Sequence, residues 1–214
     1  MTPDVGDGVI PVLLADDETM IRSAMATMLD LEDDLQVVAH VGSGDELLSI
    51  WKVRANSGEP PAVAVLDLQM PGRDGISTAT ELLRITPGAA TMIVTSHGRP
   101  GYLKRALSVG VRGFLPKTAS AATLGAAIRV VHGGGRYVDP ELAAEAISAG
   151  DSVLTPREAD VLEFAADGAA IEQIARRAHL SPGTVRNYLS SAMTKLGAAN
   201  RYEAVVTARD HGWI

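Results

Sequence analysis

The first 135 residues alternate short apolar runs with segments of helical period, and that alternation leaves the chain few folds to choose from. The runs lie at 9–15, 37–41, 62–68, 92–95 and 113–115. Several are rich in Val and Ile, and runs this short and apolar predict strands buried on both faces. Between the first two, Ile21, Met25, Met28 and Leu29 recur at i, i+4, i+7 and i+8, one face of a helix. Further helical patterns fall near 44–55, 75–85, 101–109 and 120–132. Five strands alternating with five helices predict an α/β doubly wound, five-stranded parallel sheet with helices on both faces.

A different pattern follows. Gly133-Gly134-Gly135 breaks the last of these helices, Asp139-Pro140 can open a short one, and 148–152 reads as a polar linker. Thr155-Pro156-Arg157-Glu158 then predicts a helix start: Thr155 as N-cap, Pro156 at the first helical position, Glu158 reaching back. Helical periodicity continues to the end. The predicted organisation is a sheet domain over 1–132, a linker with a short helix over 133–152, and a small all-α domain over 153–214.

Charge divides at the same place. Of 19 basic and 26 acidic residues, the segment 152–214 holds seven of each, so the net charge of -7 belongs to the front of the chain. No acid occurs between Glu172 and Glu203, while Arg176, Arg177, Arg186, Lys195 and Arg201 all fall there. An acidic front and a locally basic back predict two modules with different partners. The chain has no cysteine, which excludes disulfides, thiolate metal sites and Cys nucleophiles and fits a reducing, cytoplasmic setting. Acid in Met1-Thr2-Pro3-Asp4 argues against a signal peptide, and no apolar run approaches the ~18 residues of a spanning helix. Eight aromatic residues are too few for stacking single-stranded nucleic acid.

In open parallel sheets, ligands bind outside the carboxyl ends of the strands. Asp16 and Asp17 end the first predicted strand and Asp67 lies near the end of the third. If those strands are neighbours, three carboxylates share one cleft, where mutual repulsion raises at least one pKa. A hard divalent cation relieves the repulsion, and oxygen-only ligands favour Mg²⁺. Thr95 ends the fourth strand and Lys117 follows the fifth, a hydroxyl and an ammonium that could bind phosphoryl oxygens. Singly, each has an ordinary explanation: an Asp at a strand end often caps the next helix, a strand Thr packs, a loop Lys is solvated. Together, at the strand ends of one pattern, they point to a site.

Ala15-Asp16-Asp17-Glu18, Leu66-Asp67-Leu68-Gln69-Met70-Pro71-Gly72, Val94-Thr95-Ser96 and Phe114-Leu115-Pro116-Lys117 resemble the signature stretches of two-component receiver domains, flavodoxin-like in fold. The likeness covers 10–132. It implies that Asp67 is the phosphoryl acceptor, served by a sensor histidine kinase, and that Asp16, Asp17, Asp67 and the backbone carbonyl of Gln69 hold Mg²⁺. It also implies that Thr95 and Lys117 contact the phosphoryl oxygens and that Phe114 is a switch aromatic. A core Phe on a strand is the competing account of Phe114. Thr118 stands where many receivers have proline.

In the second module, Ile171, Ile174, Ala175 and Ala178 form a buried stripe, and Leu180-Ser181-Pro182 turns the chain into another helix with Ser181 as N-cap. Val185, Leu189, Ala192, Met193 and Leu196 form its inner face. Asn187, Ser190, Ser191 and Thr194 project outward with Arg186 and Tyr188 on the flanks, an acid-free helix of groups that read base edges and bind phosphates. Leu154-Thr155-Pro156-Arg157-Glu158, Ser181-Pro182-Gly183-Thr184-Val185-Arg186-Asn187-Tyr188-Leu189 and Lys195-Leu196-Gly197 resemble the helix-turn-helix of LuxR-type regulators. That likeness implies DNA contacts at Thr184, Arg186, Asn187, Ser190 and Lys195. Glu172 and Ser190 stand where that family often has basic residues, which predicts modest non-specific affinity and a shallow salt dependence.

Together the modules resemble a NarL/FixJ-type response regulator. The likeness implies phosphorylation, a homodimer on activation, and binding to double-stranded DNA at an inverted repeat, with no enzymatic activity and no membrane partner. A phosphatase resembling the haloacid dehalogenases would need an acid two residues after Asp67, and that residue is Gln69. A nucleotide-binding loop with Lys-Ser/Thr is missing. A receiver that serves only as a dimerisation scaffold is the remaining rival, and the complete acidic set with Thr95 and Lys117 argues against it.

Overall fold

The computed structural model describes residues 8–57, 62–96, 98–148, 152–211 and 213–214. Residues 1–4, read above against a signal peptide, and 149–151 of the polar linker lie outside them. The chain forms two compact units. One takes the described residues up to Gly98 with Arg105–Asp139, the other Arg99–Lys104 with Pro140–Ile214.

The first unit holds strands β1 (Ile10–Ala15), β2 (Leu35–Val41), β3 (Val63–Asp67), β4 (Ala90–Thr95), β5 (Gly113–Pro116) and β6 (Tyr137–Val138). Its helices are α1 (Thr19–Leu29), α2 (Gly44–Asn56), α3 (Gly75–Ile85) and α5 (Ala121–His132); α4 (Pro100–Ser108), which precedes β5, is divided between the two units after Lys104. All strands are parallel, in the order β2-β1-β3-β4-β5-β6. A parallel sheet must be covered on both faces, and β3 and β4 are buried at every position. Val12, Leu14, Val63, Val65, Met92, Val94 and Leu115 form one core with Met25 and Leu29 of α1 and Leu124, Ile128 and Val131 of α5. Leu13, Leu66, Ile93 and Phe114 alternate to the opposite face and are equally buried. On α2 the buried Trp51 donates its indole N–H to Thr86 Oγ1 at 3.0 Å.

The doubly wound parallel sheet is as expected, with one strand more than the five predicted. Gly134, at a φ of 84°, reverses the chain after α5, and two residues then join the free edge of β5. Tyr137 N donates to Arg112 O at 2.9 Å and Asp139 N to Phe114 O at 3.0 Å. Two residues are too short a run to show period-two alternation, so β6 is invisible to pattern reading.

The second unit holds α6 (Pro140–Ser148), α7 (Pro156–Phe164), α8 (Ile171–Arg177), α9 (Pro182–Leu196) and α10 (Arg201–Asp210). Each predicted start is realised. Glu158 N donates to Thr155 Oγ1 and Thr155 N to Glu158 Oε2, a reciprocal cap on α7. Ser181 Oγ accepts from Thr184 N at 3.1 Å, and α9 ends on Gly197 in the left-handed region at a φ of 62°. The turn between α8 and α9 carries His179 at a φ of 53°. Val161, Leu162, Ile174, Val185, Leu189, Ala204 and Val205 close the core. Within this unit Arg99 donates to Asp160 and Glu163, and the buried Tyr102 hydroxyl donates to Asp160. Burial, with the Asp160 carboxylate beside it, pushes the Tyr102 hydroxyl above the ordinary phenol range.

Candidate functional site

Sheet order builds the site. Because β1 pairs with β3, the chain leaves the carboxyl edge of both strands side by side, bringing Asp16 and Asp17 next to Asp67. Carboxylate oxygens of the three lie within 4.8 Å of one another. Asp16 and Asp67 are buried and Asp17 half-buried. The helix-capping alternative for Asp17 does not hold, since Glu18 is the N-cap of α1 and makes no side-chain cap. Asp16 Oδ1 instead accepts from Glu18 N at 2.9 Å.

Thr95 and Lys117 fall at the same edge of the sheet. Thr95 ends β4 opposite Pro116 of β5, and Lys117 N donates to Thr95 O at 2.8 Å, which ties the following loop to the β4 end. Lys117 Nζ then lies 2.8 Å from Asp16 Oδ2, 2.9 Å from Glu18 Oε1 and 3.4 Å from Asp67 Oδ2. Gln69 follows two residues after Asp67, half-buried. Phe114 is fully buried on β5 beside Ile93, and its carbonyl accepts from Asp139.

One ammonium cannot neutralise this many carboxylates. Burial raises the Asp67 pKa, the Lys117 charge opposes the rise, and the Asp16 and Asp17 charges add to it, leaving it at about 7. Asp16 is also raised, by burial first, against the hydrogen bond and charge of Lys117. Lys117 is driven upward despite its own burial, because Asp67, Asp16 and Glu18 surround it. A cluster of oxygen donors carrying excess negative charge, two of them buried and one half-buried, fits a hard divalent cation.

Three residues given no role above belong to this site. Glu18 holds Lys117, and Arg22 Nη1 donates to Asp16 O at 2.5 Å, anchoring the loop that carries both N-terminal aspartates. Glu18 is adjacent to the acidic pair in sequence, whereas nothing in the sequence marks Arg22. Gly75, the first residue of α3, sits so close to β3 that a Cβ would lie 2.2 Å from Asp67 O. A glycine just after the acidic strand was the available signal.

On α9, Arg186, Asn187, Ser190 and Thr194 are exposed, Thr184 is half-buried, and Val185, Leu189 and Ala192 are buried, as the periodicity predicts. Arg186 Nη2 lies 3.9 Å from Glu172 Oε1 on α8, both side chains largely exposed, a pair of little energetic weight. Lys195 differs. Its Nζ lies 2.6 Å from Oε2 of the buried Glu158, whose Oε1 accepts from Ser191 Oγ at 2.6 Å. Burial works to raise the Glu158 pKa, yet the hydrogen bonds from Lys195, Ser191 and Thr155 hold it down at about 2.

Both units match known families: residues 12–129 the response regulator receiver domain, and residues 152–208 the luxR family of bacterial regulatory proteins. The chain is 38% identical over 206 residues to the transcriptional regulatory protein DesR of Bacillus subtilis, covering 96% of this chain and all of that one. It is also 38% identical over 205 residues to the transcriptional regulatory protein UhpA of Escherichia coli, with the same coverage of both. Among solved structures, the response regulator ChrA of a heme-sensing two-component system aligns with a TM-score of 0.55 at 30% identity, covering 97% of this chain and 100% of that one. The response regulator RcsB in complex with DNA shares the fold at a TM-score of 0.58 and 24% identity, covering 94% and 98%. No helix among the described residues is long and apolar enough to cross a membrane. With an acidic receiver pocket in one unit and a capped helix pair in the other, the chain belongs to the two-component response regulators that carry a receiver domain and a LuxR-type DNA-binding domain, a family of transcriptional regulators.

Proposed function

We propose that Asp67 accepts a phosphoryl group from a sensor histidine kinase and that this modification drives homodimerisation and binding to an inverted-repeat operator. The observation that carries the reading is the convergence of Asp16, Asp17 and Asp67 with Lys117 at one carboxyl edge of the sheet. A carboxylate oxygen of Asp67 attacks phosphorus, the bond from phosphorus to the donor's imidazole nitrogen breaks, and that nitrogen leaves with the bonding electron pair, the other ring nitrogen carrying the proton of the neutral imidazole. Asp16, Asp17, Asp67 and the Gln69 carbonyl would hold Mg²⁺, which supplies charge neutralisation on the transferring group. Lys117 and Thr95 meet the phosphoryl oxygens, and Lys117 leaves its bond to Glu18 to do so. The product brings roughly -1.5 to -2 charges into a site already rich in acid, so the loops around it must rearrange. Phe114 is the proposed switch aromatic, since its own carbonyl is bonded to the segment that leaves the receiver.

In the second unit, Thr184, Arg186, Asn187 and Ser190 are the proposed contacts to double-stranded DNA, presented by a helix whose opposite face is core. The domain division is 1–132, a linker over 133–152, and 153–214. DNA as the partner places the chain's action in the cytoplasm. Phosphotransfer from acetyl phosphate tests the reading: mass spectrometry should find one phosphoryl group on the wild type with Mg²⁺ present and none on Asp67→Ala. Full labelling of Asp67→Ala would move the acceptor elsewhere and refute the assignment.

A further inference from the structure

Glu158 is the third residue of α7, and one buried carboxylate there serves two helices. Its Oε2 accepts from the Thr155 backbone N–H at 2.6 Å, closing the cap of α7. The same carboxylate accepts from Ser191 Oγ and Lys195 Nζ, each at 2.6 Å. Ser191 and Lys195 are four residues apart, so they lie one above the other on a single flank of α9. The start of α7 and the last turns of α9 are therefore joined through one group that is only 4% exposed.

Resting on the reading that α9 is the DNA-reading helix, we infer that Ser191 and Lys195 are positioning residues, which fix the rotation and tilt of α9 against α7 through Glu158, and that Lys195 contacts no phosphate. Two physical arguments support it. A buried carboxylate left without its cation is costly, so Lys195 is held in place rather than free to follow a DNA backbone. Phosphate contacts show in the salt dependence of binding because a free cation displaces counterions from DNA. The Lys195 ammonium, about a third of its side chain exposed, is balanced at contact distance by the buried Glu158 carboxylate, so the pair adds little net charge to that exchange. Arg186, paired only loosely with Glu172 at 3.9 Å between exposed side chains, keeps its charge available.

The two roles separate in a salt titration of the full-length protein. The probes are a duplex selected by the wild type from a random pool and an unrelated duplex of equal length and composition. Lys195→Met should lose about tenfold or more in affinity for the selected duplex and little for the unrelated one, because misplacing a reading helix by a fraction of an ångström damages base contacts first. Its slope of log affinity against log salt should equal that of the wild type, and Lys195→Arg should restore discrimination. If Lys195→Met weakens both duplexes evenly and lowers the slope by about one unit, Lys195 is a phosphate contact and the inference is overturned. Glu158→Gln keeps an acceptor for the Thr155 N–H, presents its amide N–H to Ser191 Oγ, which then accepts, and frees the ammonium. It should therefore steepen the slope by up to about one unit and lower discrimination, also where Lys195→Met does not fold. An unchanged slope with unchanged discrimination in Glu158→Gln refutes the linkage. Arg186→Ala and Asn187→Ala test the underlying reading separately. If both discriminate as the wild type does, α9 is not the reading helix and the inference falls with it.

Discussion

Replacing Asp67 by Asn should stabilise the metal-free receiver, and by an amount that depends on pH in a defined direction. In the folded protein Asp67 has a pKa of about 7, against 3.8 for an ordinary Asp side chain. An acid whose folded pKa is raised destabilises the fold when ionised. Below about pH 4 both folded and unfolded chains keep the proton, and Asp67 costs nothing. Between about pH 4 and 7 the unfolded chain gives up its proton and the folded one retains it, so stability falls as pH rises, levelling off above 7. At 1.36 kcal/mol per pH unit, the interval between the two values corresponds to about 4 kcal/mol at pH 8. Asn removes the charge and keeps the shape, so Asp67→Asn should gain up to that amount at pH 8 and little at pH 4.5. Trp51 is buried in the receiver unit, and with Trp213 replaced by Phe it is the single Trp of the chain, so its fluorescence follows receiver unfolding alone. Urea titrations from pH 4.5 to 8 without divalent cation give the difference directly. A wild type and variant that differ by the same amount at every pH, or a variant that is less stable at pH 8, would show that Asp67 ionises without penalty and that the pocket is not short of positive charge.

Three further outcomes follow from the same geometry. Mg²⁺ at a hundred times its dissociation constant should stabilise the wild type by ~2.7 kcal/mol, and Asp17→Ala should abolish that response at pH 7.5 while leaving circular dichroism unchanged. Gly75→Ala puts a methyl group 2.2 Å from Asp67 O, so it should cost ~1–3 kcal/mol and slow labelling by acetyl phosphate; wild-type stability and rate together would mean that α3 shifts freely. Beryllofluoride with Mg²⁺ should raise both the dimer fraction in sedimentation and the affinity for a selected duplex, with ~1–3 kcal/mol of coupling, and should do neither in Asp67→Ala.

What could be read in the sequence was whatever one local pattern determines. The apolar runs predict β1 to β5 because parallel strands are buried on both faces, and capping motifs predict the starts of α7 and α9 because an orphan backbone N–H needs a side-chain acceptor. The site was legible for a different reason. A parallel sheet sends every strand's carboxyl end to one edge, so Asp16, Asp17 and Asp67 meet as soon as β1 and β3 are neighbours, and Lys117, just after β5, reaches them from the same edge. The unread features depend on approach between elements. Arg22 reaches a carbonyl, Gly75 makes room for a backbone oxygen, and β6 attaches through two residues. None of these leaves a periodicity behind.

Charge shows the limit most clearly. The acid-free window between Glu172 and Glu203 suggests a positive surface, yet acids outside the window face it from α7, α8 and the turn between them. Arg177 lies 3.4 Å from Asp167, Arg186 is 3.9 Å from Glu172, and Lys195 is bound by Glu158, 37 residues earlier in the chain. These pairs are unequal. Arg177 and Arg186 meet their partners between largely exposed side chains, where water and salt screen the attraction and DNA phosphates can compete for the cation. Glu158 is buried, so its pair with Lys195 is screened much less and survives in salt that weakens the others. The positive field of the second unit is therefore smaller than the basic residues of the window suggest, and it comes from the side chains whose partners can be exchanged. A shallow salt dependence of non-specific binding follows from that inequality, and it follows from pairing in space that no count along the chain contains.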